Sequence, residues 1–318
     1  MFPAFLTTLL FSISAVCGNR SAKLLGGTTA NFWRLSFAAL LLGLGAHFFG
    51  TGLNGAALPV FLLSGIIGFG VGDMALFQAL PRLGSRLSVL LTLCLSSPLA
   101  ALMEWLWLGT RLTWEEMACG LAILAGVALA LGPGSRAPGG GQHSARLRFV
   151  GALFGLLAAF CQALGAVLSR QAFSIASQAG DPINGLTSAY QRILGGVGFG
   201  AVLLLVVQRR WLGRMLGLSI AGPESADDEP MKPSWAQAWP WVMLNGLAGP
   251  ALGVSCYQWA LKTVPTGVVL PIVAITPLVI VPFSYHLEGE RPTRWSLGGG
   301  LVAVAGAAAL AWVSQHGR

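Results

Sequence analysis

Long apolar runs, rather than alternating ones, set the pattern of this chain. Residues 3–20, 30–49, 57–79, 87–108, 116–132, 148–170, 184–207, 239–260, 266–287 and 296–313 are each nearly continuous in hydrophobic residues. A helix needs about 20 such residues, within a range near 17–25, to cross the hydrocarbon core of a bilayer. The pattern therefore predicts ten membrane-spanning helices. Period-two alternation is absent, and in lipid only helices or closed barrels satisfy the backbone. The first run lacks a basic leader, and Ser14-Ala15-Val16-Cys17 places Val where a small residue precedes a lipid-modified cysteine, so it reads as a retained span.

Two polar stretches interrupt the series. Gly132-Pro133-Gly134-Ser135-Arg136-Ala137-Pro138-Gly139-Gly140-Gly141 has the composition of a flexible linker and divides five runs from five. Residues 208–234 form the longest polar connection, basic at Arg209, Arg210 and Arg214 and acidic at Glu224, Asp227, Asp228 and Glu229. The predicted organisation is a five-helix unit over 1–132, a linker over 133–146 and a second five-helix unit over 147–318.

Composition agrees with this picture. Hydrophobic residues make up 55% of the 318 and charged residues 9%, against roughly 25% charged in an ordinary globular chain. A soluble surface of this size cannot be covered with so few charges, so an integral membrane protein of the cytoplasmic membrane is expected. The net charge of +8 is spread over short segments between apolar runs, which is unlike a nucleic-acid-binding surface. Cys17, Cys94, Cys119, Cys161 and Cys256 all fall in apolar runs, without metal-ligand spacing. His47, His143, His286 and His316 show no metal spacing either, and no phosphate-binding or dinucleotide fingerprint occurs. No cofactor or metal is expected, and an enzyme is a poor fit.

The chain also repeats itself. Gly65, Gly68, Gly72, Ala79 and Leu80 match Gly246, Gly249, Gly253, Ala260 and Leu261 at a constant offset of 181 residues. Gly120 and Gly126 match Gly300 and Gly306 at 180, and Trp33-Arg34-Leu35 lines up with Gln191-Arg192-Ile193. With five spans per unit, an odd number, the second unit enters the membrane upside-down relative to the first. Such inverted repeats are a signature of secondary transporters, with substrate held near the midplane where the halves meet. The expected fold is all-α, with ten transmembrane helices in two inverted five-helix repeats.

The residues that follow carry a resemblance. Leu261-Lys262-Thr263-Val264-Pro265-Thr266-Gly267, Thr276-Pro277 and Glu288-Gly289-Glu290-Arg291-Pro292-Thr293, followed by Gly300 and Gly306, mark the second half. Arg34, Ser97-Pro98, Gly120 and Gly126 mark the first. With these, the chain resembles the drug/metabolite transporter superfamily in its ten-helix EamA-type branch. Where that branch has Glu-Arg before the fifth helix this chain has Thr110-Arg111, while Glu290-Arg291 keeps the pair in the second half. The resemblance implies a central cavity lined mainly by helices one to four and six to nine, with helices five and ten at the periphery. It also implies export of a small metabolite, amino acid or drug-like solute, with protons as a candidate coupling partner. An intramembrane enzyme and a non-transporting scaffold are the alternatives.

Ionisable groups inside spans are costly and so point to function. Arg34, Asp73, Glu104 and Arg192 are the candidates. Arg34 and Arg192 can hold an anionic substrate group or a partner carboxylate, or they can tie down neighbouring helices. Asp73 follows three glycines, and its repeat counterpart is Val254, so the fold's symmetry does not demand a charge there. A carboxylate in that place can exchange a proton or form a salt bridge. Gln162, Tyr257 and Gln258 can bind substrate or bridge helices. Pro98, Pro271, Pro277 and Pro282 remove backbone donors and predict kinks suited to gating or to packing. Lys and Arg favour the cytoplasmic side, and thirteen lie in odd-numbered connections against four on the side of the termini. The charge bias thus puts both termini outside, whereas the resemblance puts both inside.

Overall fold

The computed structural model describes residues 2–108, 113–131, 142–215, 235–263, 266–288 and 293–316. The described elements are helical, and no strand occurs among them. Each apolar run lies in a helical stretch: α1 (Phe2–Leu25), α2 (Gly27–Phe49), α3 (Leu58–Gly65), α4 (Asp73–Leu83), α5 (Ser85–Leu108), α6 (Trp114–Leu131), α7 (Gln142–Gln178), α8 (Gly185–Met215), α9 (Trp235–Gly246), α10 (Val254–Thr263), α11 (Thr266–Val273), α12 (Thr276–Glu288) and α13 (Arg294–His316). Among the described residues, five stretches are long and apolar enough to cross a bilayer: Phe2–Leu25, Gly27–Phe49, Leu58–Leu83, Ala145–Gln178 and Gly185–Val206. Ser85–Ala100, Met117–Ala130 and Arg294–Leu310 are shorter apolar helices.

Two π-helical segments depart from the expected continuous α-helices. Ile66–Gly72 joins α3 to α4, and Leu247–Gly253 joins α9 to α10. In each, the backbone N–H after the segment reaches five residues back: Asp73 to Gly68 O, and Val254 to Gly249 O. Such bulges occur mostly as single turns within α-helices, frequently at functional sites. The two begin 181 residues apart, at the offset of the glycine matches. Glycine is required here by close approach. A Cβ on Gly65 would lie 1.7 Å from the carbonyl oxygen of Arg192.

Polarity is arranged inside out. On α1, Thr7, Thr8, Ser12, Ser14, Asn19 and Ser21 are buried, while Phe2 is 72% exposed and Phe5 54%. A soluble helix does the reverse; lipid contact accounts for this pattern. The buried hydroxyls bond carbonyls where the helices are irregular. Pro277 has no N–H for the carbonyl of Val273, and Thr276 Oγ1 donates to it instead at 2.5 Å. Thr8 Oγ1 donates to Ile272 O at 3.1 Å, across the break between α11 and α12.

The helices pack against one another pairwise around a cavity. α2 packs on α8, α1 on α9, and α7 on α4 and α5. α6 lies with α13, their backbones close at Gly126 and Gly299. At one end of the molecule Asp181 Oδ2 accepts from Ala56 N–H at 2.8 Å, and Gln191 Nε2 donates to Gly52 O at 3.0 Å. Lys262 Nζ donates to Ile183 O there at 2.7 Å. At the other end Arg20 donates to Leu287 O, Arg86 Nη2 donates to Ser296 Oγ at 2.8 Å, and Trp33 packs edge-on against Trp235 and Trp239.

Candidate functional site

The two π-helical segments face this cavity between the helices. It holds about 840 Å³ of empty space, its open mouth included. Its lining comes from α1, α2, α4, α5, α7, α8, α9, α10 and both π segments. Among the described residues, α6 and α13 contribute nothing to it, and the expected lining by the span over 266–287, α11 and α12, is not seen.

Arg34, on α2, is 5% exposed and fully engaged. It pairs with Asp73, which opens α4 directly after the first π segment. Its Nε donates to Asn31 Oδ1 at 3.0 Å, and its Nη1 donates to Asn245 Oδ1 at 3.3 Å. Asn245 Nδ2 in turn donates to Ser14 O at 2.9 Å, tying α9 to α1. The guanidinium also lies 4.5 Å from the Phe77 ring centre, within cation–π range.

Arg192, on α8, is built similarly but without a carboxylate. Its Nε donates to Ser64 Oγ at 2.9 Å, and the Phe69 ring centre lies 5.0 Å away. Ser64 Oγ donates to Gly165 O at 2.8 Å on α7. Ser64 and Asn245 stand 181 residues apart. Arg34 thus bonds a residue of the α9 side, and Arg192 bonds its offset counterpart on the α3 side.

The sequence candidates divide. Arg34, Asp73, Gln162, Arg192 and Tyr257 come together around this one cavity. Gln258 does not line it, although it is 0% exposed and its amide atoms have no partner among the described residues. Neighbouring helix positions point about 100° apart, so Tyr257 faces the cavity and Gln258 turns away. Pro98 stands beside Gly120 of α6 rather than in the cavity, and Pro277 is buried at the start of α12. Pro271 lies within α11 and Glu104 within α5, with side chains outside the described ones. Thr110-Arg111 and Glu290-Arg291 lie outside the described residues altogether. Sequence reading did not single out Ser14, Ser64, Thr92 or Asn245. Ser64 and Asn245 immediately precede the matched Gly65 and Gly246, and that pairing was the available signal.

An all-helical shell with a lipid-facing exterior and a charged central cavity defines a multi-pass integral membrane protein. The chain belongs to the EamA-like transporter family, whose model matches residues 1–132 and 149–312. That family membership makes it a membrane transporter of small solutes, in a family that is generally non-enzymatic. In fold it is similar to a solved crystal structure of another protein, with a TM-score of 0.63 and 17% identity. The match covers 99% of this chain and 98% of that one.

Proposed function

We propose that this protein is a secondary-active exporter of a small metabolite, amino acid or drug-like solute, working by alternating access across the cytoplasmic membrane. In this reading ten helices cross the bilayer as two inverted five-helix halves, 1–132 and 147–318, joined by the 133–146 linker. The observation that carries it is the crosswise bonding at the cavity: Arg34 of the first half holds Asn245 of the second, and Arg192 of the second holds Ser64 of the first. Halves so bonded around one cavity can rock against each other between two near-equivalent states. The matched π segments and the two separate family matches support the same division.

Asp73 is the proposed coupling group. A proton on its carboxylate cancels the ion pair with Arg34, so proton uptake and release change how firmly α2 is tied to α4. The test is a screen of pooled metabolites in proteoliposomes, with and without a pH gradient and without ATP. At least one solute is expected to move faster than in protein-free liposomes and to accumulate only under the gradient. A screen in which no solute moves would count against transport by this cavity.

A further inference from the structure

We infer that the cavity takes a small singly charged carboxylate with an apolar body, its carboxylate held by Arg192. This rests on the transporter reading of the cavity and narrows it to one substrate class. The two buried arginines are not equivalent. Arg34 is neutralised by Asp73, whereas Arg192 has no carboxylate within 4 Å among the described residues. Arg192 is 4% exposed, lines the cavity, and spends one donor on Ser64. An arginine stays protonated in proteins, so it brings a full positive charge into a low-dielectric site. Burying a charge is costly unless it is paired. The Phe69 ring offsets part of that cost, and an anion supplies the rest.

The surroundings of Arg192 are those of a built site. Gly68 and Gly165 make room for its Nη2, since a Cβ at either would come within 3.1 and 3.3 Å of it. Two further hydroxyls line the same cavity: Thr92 Oγ1, on a side chain 5% exposed and without a hydrogen-bond partner among the described residues, and Tyr257 Oη, on one 2% exposed and beside Gln162. Buried polar atoms are ordinarily satisfied, so the orphaned Thr92 hydroxyl in a cationic cavity points to a missing acceptor. A carboxylate offers two oxygens, which suits a forked guanidinium and neighbouring hydroxyls. Val89, Leu93 and Val254 give the cavity an apolar wall for the rest of the molecule.

Charge balance selects among anions and against cations. One unpaired guanidinium matches one negative charge, and a phosphate dianion would leave its second charge unmatched. Asp73, the one carboxylate lining the cavity among the described residues, is already taken by Arg34, so an ammonium group finds no partner.

The test compares four probes by direct binding to the purified full-length protein: 4-methylpentanoate, its primary amide, 4-methylpentylamine and inorganic phosphate. The wild type is expected to bind the carboxylate about ten- to a hundred-fold tighter than the amide, as a charge-assisted hydrogen bond implies. Amine and phosphate should bind no tighter than the amide. Arg192→Gln should erase the preference while leaving amide binding intact, and Tyr257→Phe should shrink it. The wild-type comparison stands even if Arg192→Gln does not fold. Equal affinities, no carboxylate binding, a preference for amine or phosphate, or a preference kept in folded Arg192→Gln would each overturn the inference. Binding of the carboxylate without its movement in proteoliposomes would sink the transport reading and leave this one. Movement of cations without carboxylate preference would do the opposite.

Discussion

Purified Arg34→Gln is expected to melt well below the wild type, with an apparent loss of up to about 3 kcal/mol, because it strands a partly buried carboxylate. Asp73 shares its charge with Arg34, and the same guanidinium satisfies Asn31 and Asn245. Removing one partner of a buried pair costs far more than replacing both with apolar groups of similar volume. The double variant Arg34→Met with Asp73→Leu should therefore recover most of the loss. It should settle within about 2 kcal/mol of the wild type, the remainder reflecting chiefly Asn31, since Ser14 still donates to Asn245. Thermal melting in detergent, followed by tryptophan fluorescence, measures both. A single variant as stable as the wild type would show that the pair does not hold α2 to α4.

Asp73→Asn is the complementary experiment and has the largest expected effect on activity. Asparagine keeps an oxygen that accepts from Arg34, so the fold should survive, but it cannot carry a proton. Accumulation driven by a pH gradient should fall to the level of protein-free liposomes. Exchange of the same solute without a gradient should continue. Normal gradient-driven accumulation by Asp73→Asn would remove this carboxylate from the coupling step.

Much of the architecture was legible because lipid imposes few options. Continuous apolar runs had to become helices, and of the glycines repeating at a fixed offset, Gly65 and Gly246 mark close contacts with the backbones of Arg192 and Arg34. Arg34, Asp73 and Arg192 stood out because charges inside apolar runs are expensive. The helical breaks were less visible. The prolines drew attention, yet the widened turns at Ile66–Gly72 and Leu247–Gly253 form at glycine-rich segments, and the first contains no proline at all. Whether an N–H reaches four or five residues back depends on what packs against the glycines, here the backbone of Arg192 at Gly65. Ser14, Ser64, Thr92 and Asn245 were hidden for another reason. Small neutral polar residues are common between membrane helices, and composition cannot tell a helix bridge from a cavity wall. Gln258 was drawn in by its neighbour Tyr257, and helical geometry separates the two.

The central claim is that one cavity opens to each side of the membrane in turn. Thr92 is a suitable reporter, since its hydroxyl lines the cavity and has no hydrogen-bond partner among the described residues. Thr92→Cys, in a chain whose Cys17, Cys94, Cys119, Cys161 and Cys256 are replaced, can be challenged with a small membrane-impermeant thiol reagent. Right-side-out and inside-out vesicles present the two faces separately. Alternating access predicts labelling from either face in the same protein. Labelling from one face only, or from neither, would contradict it.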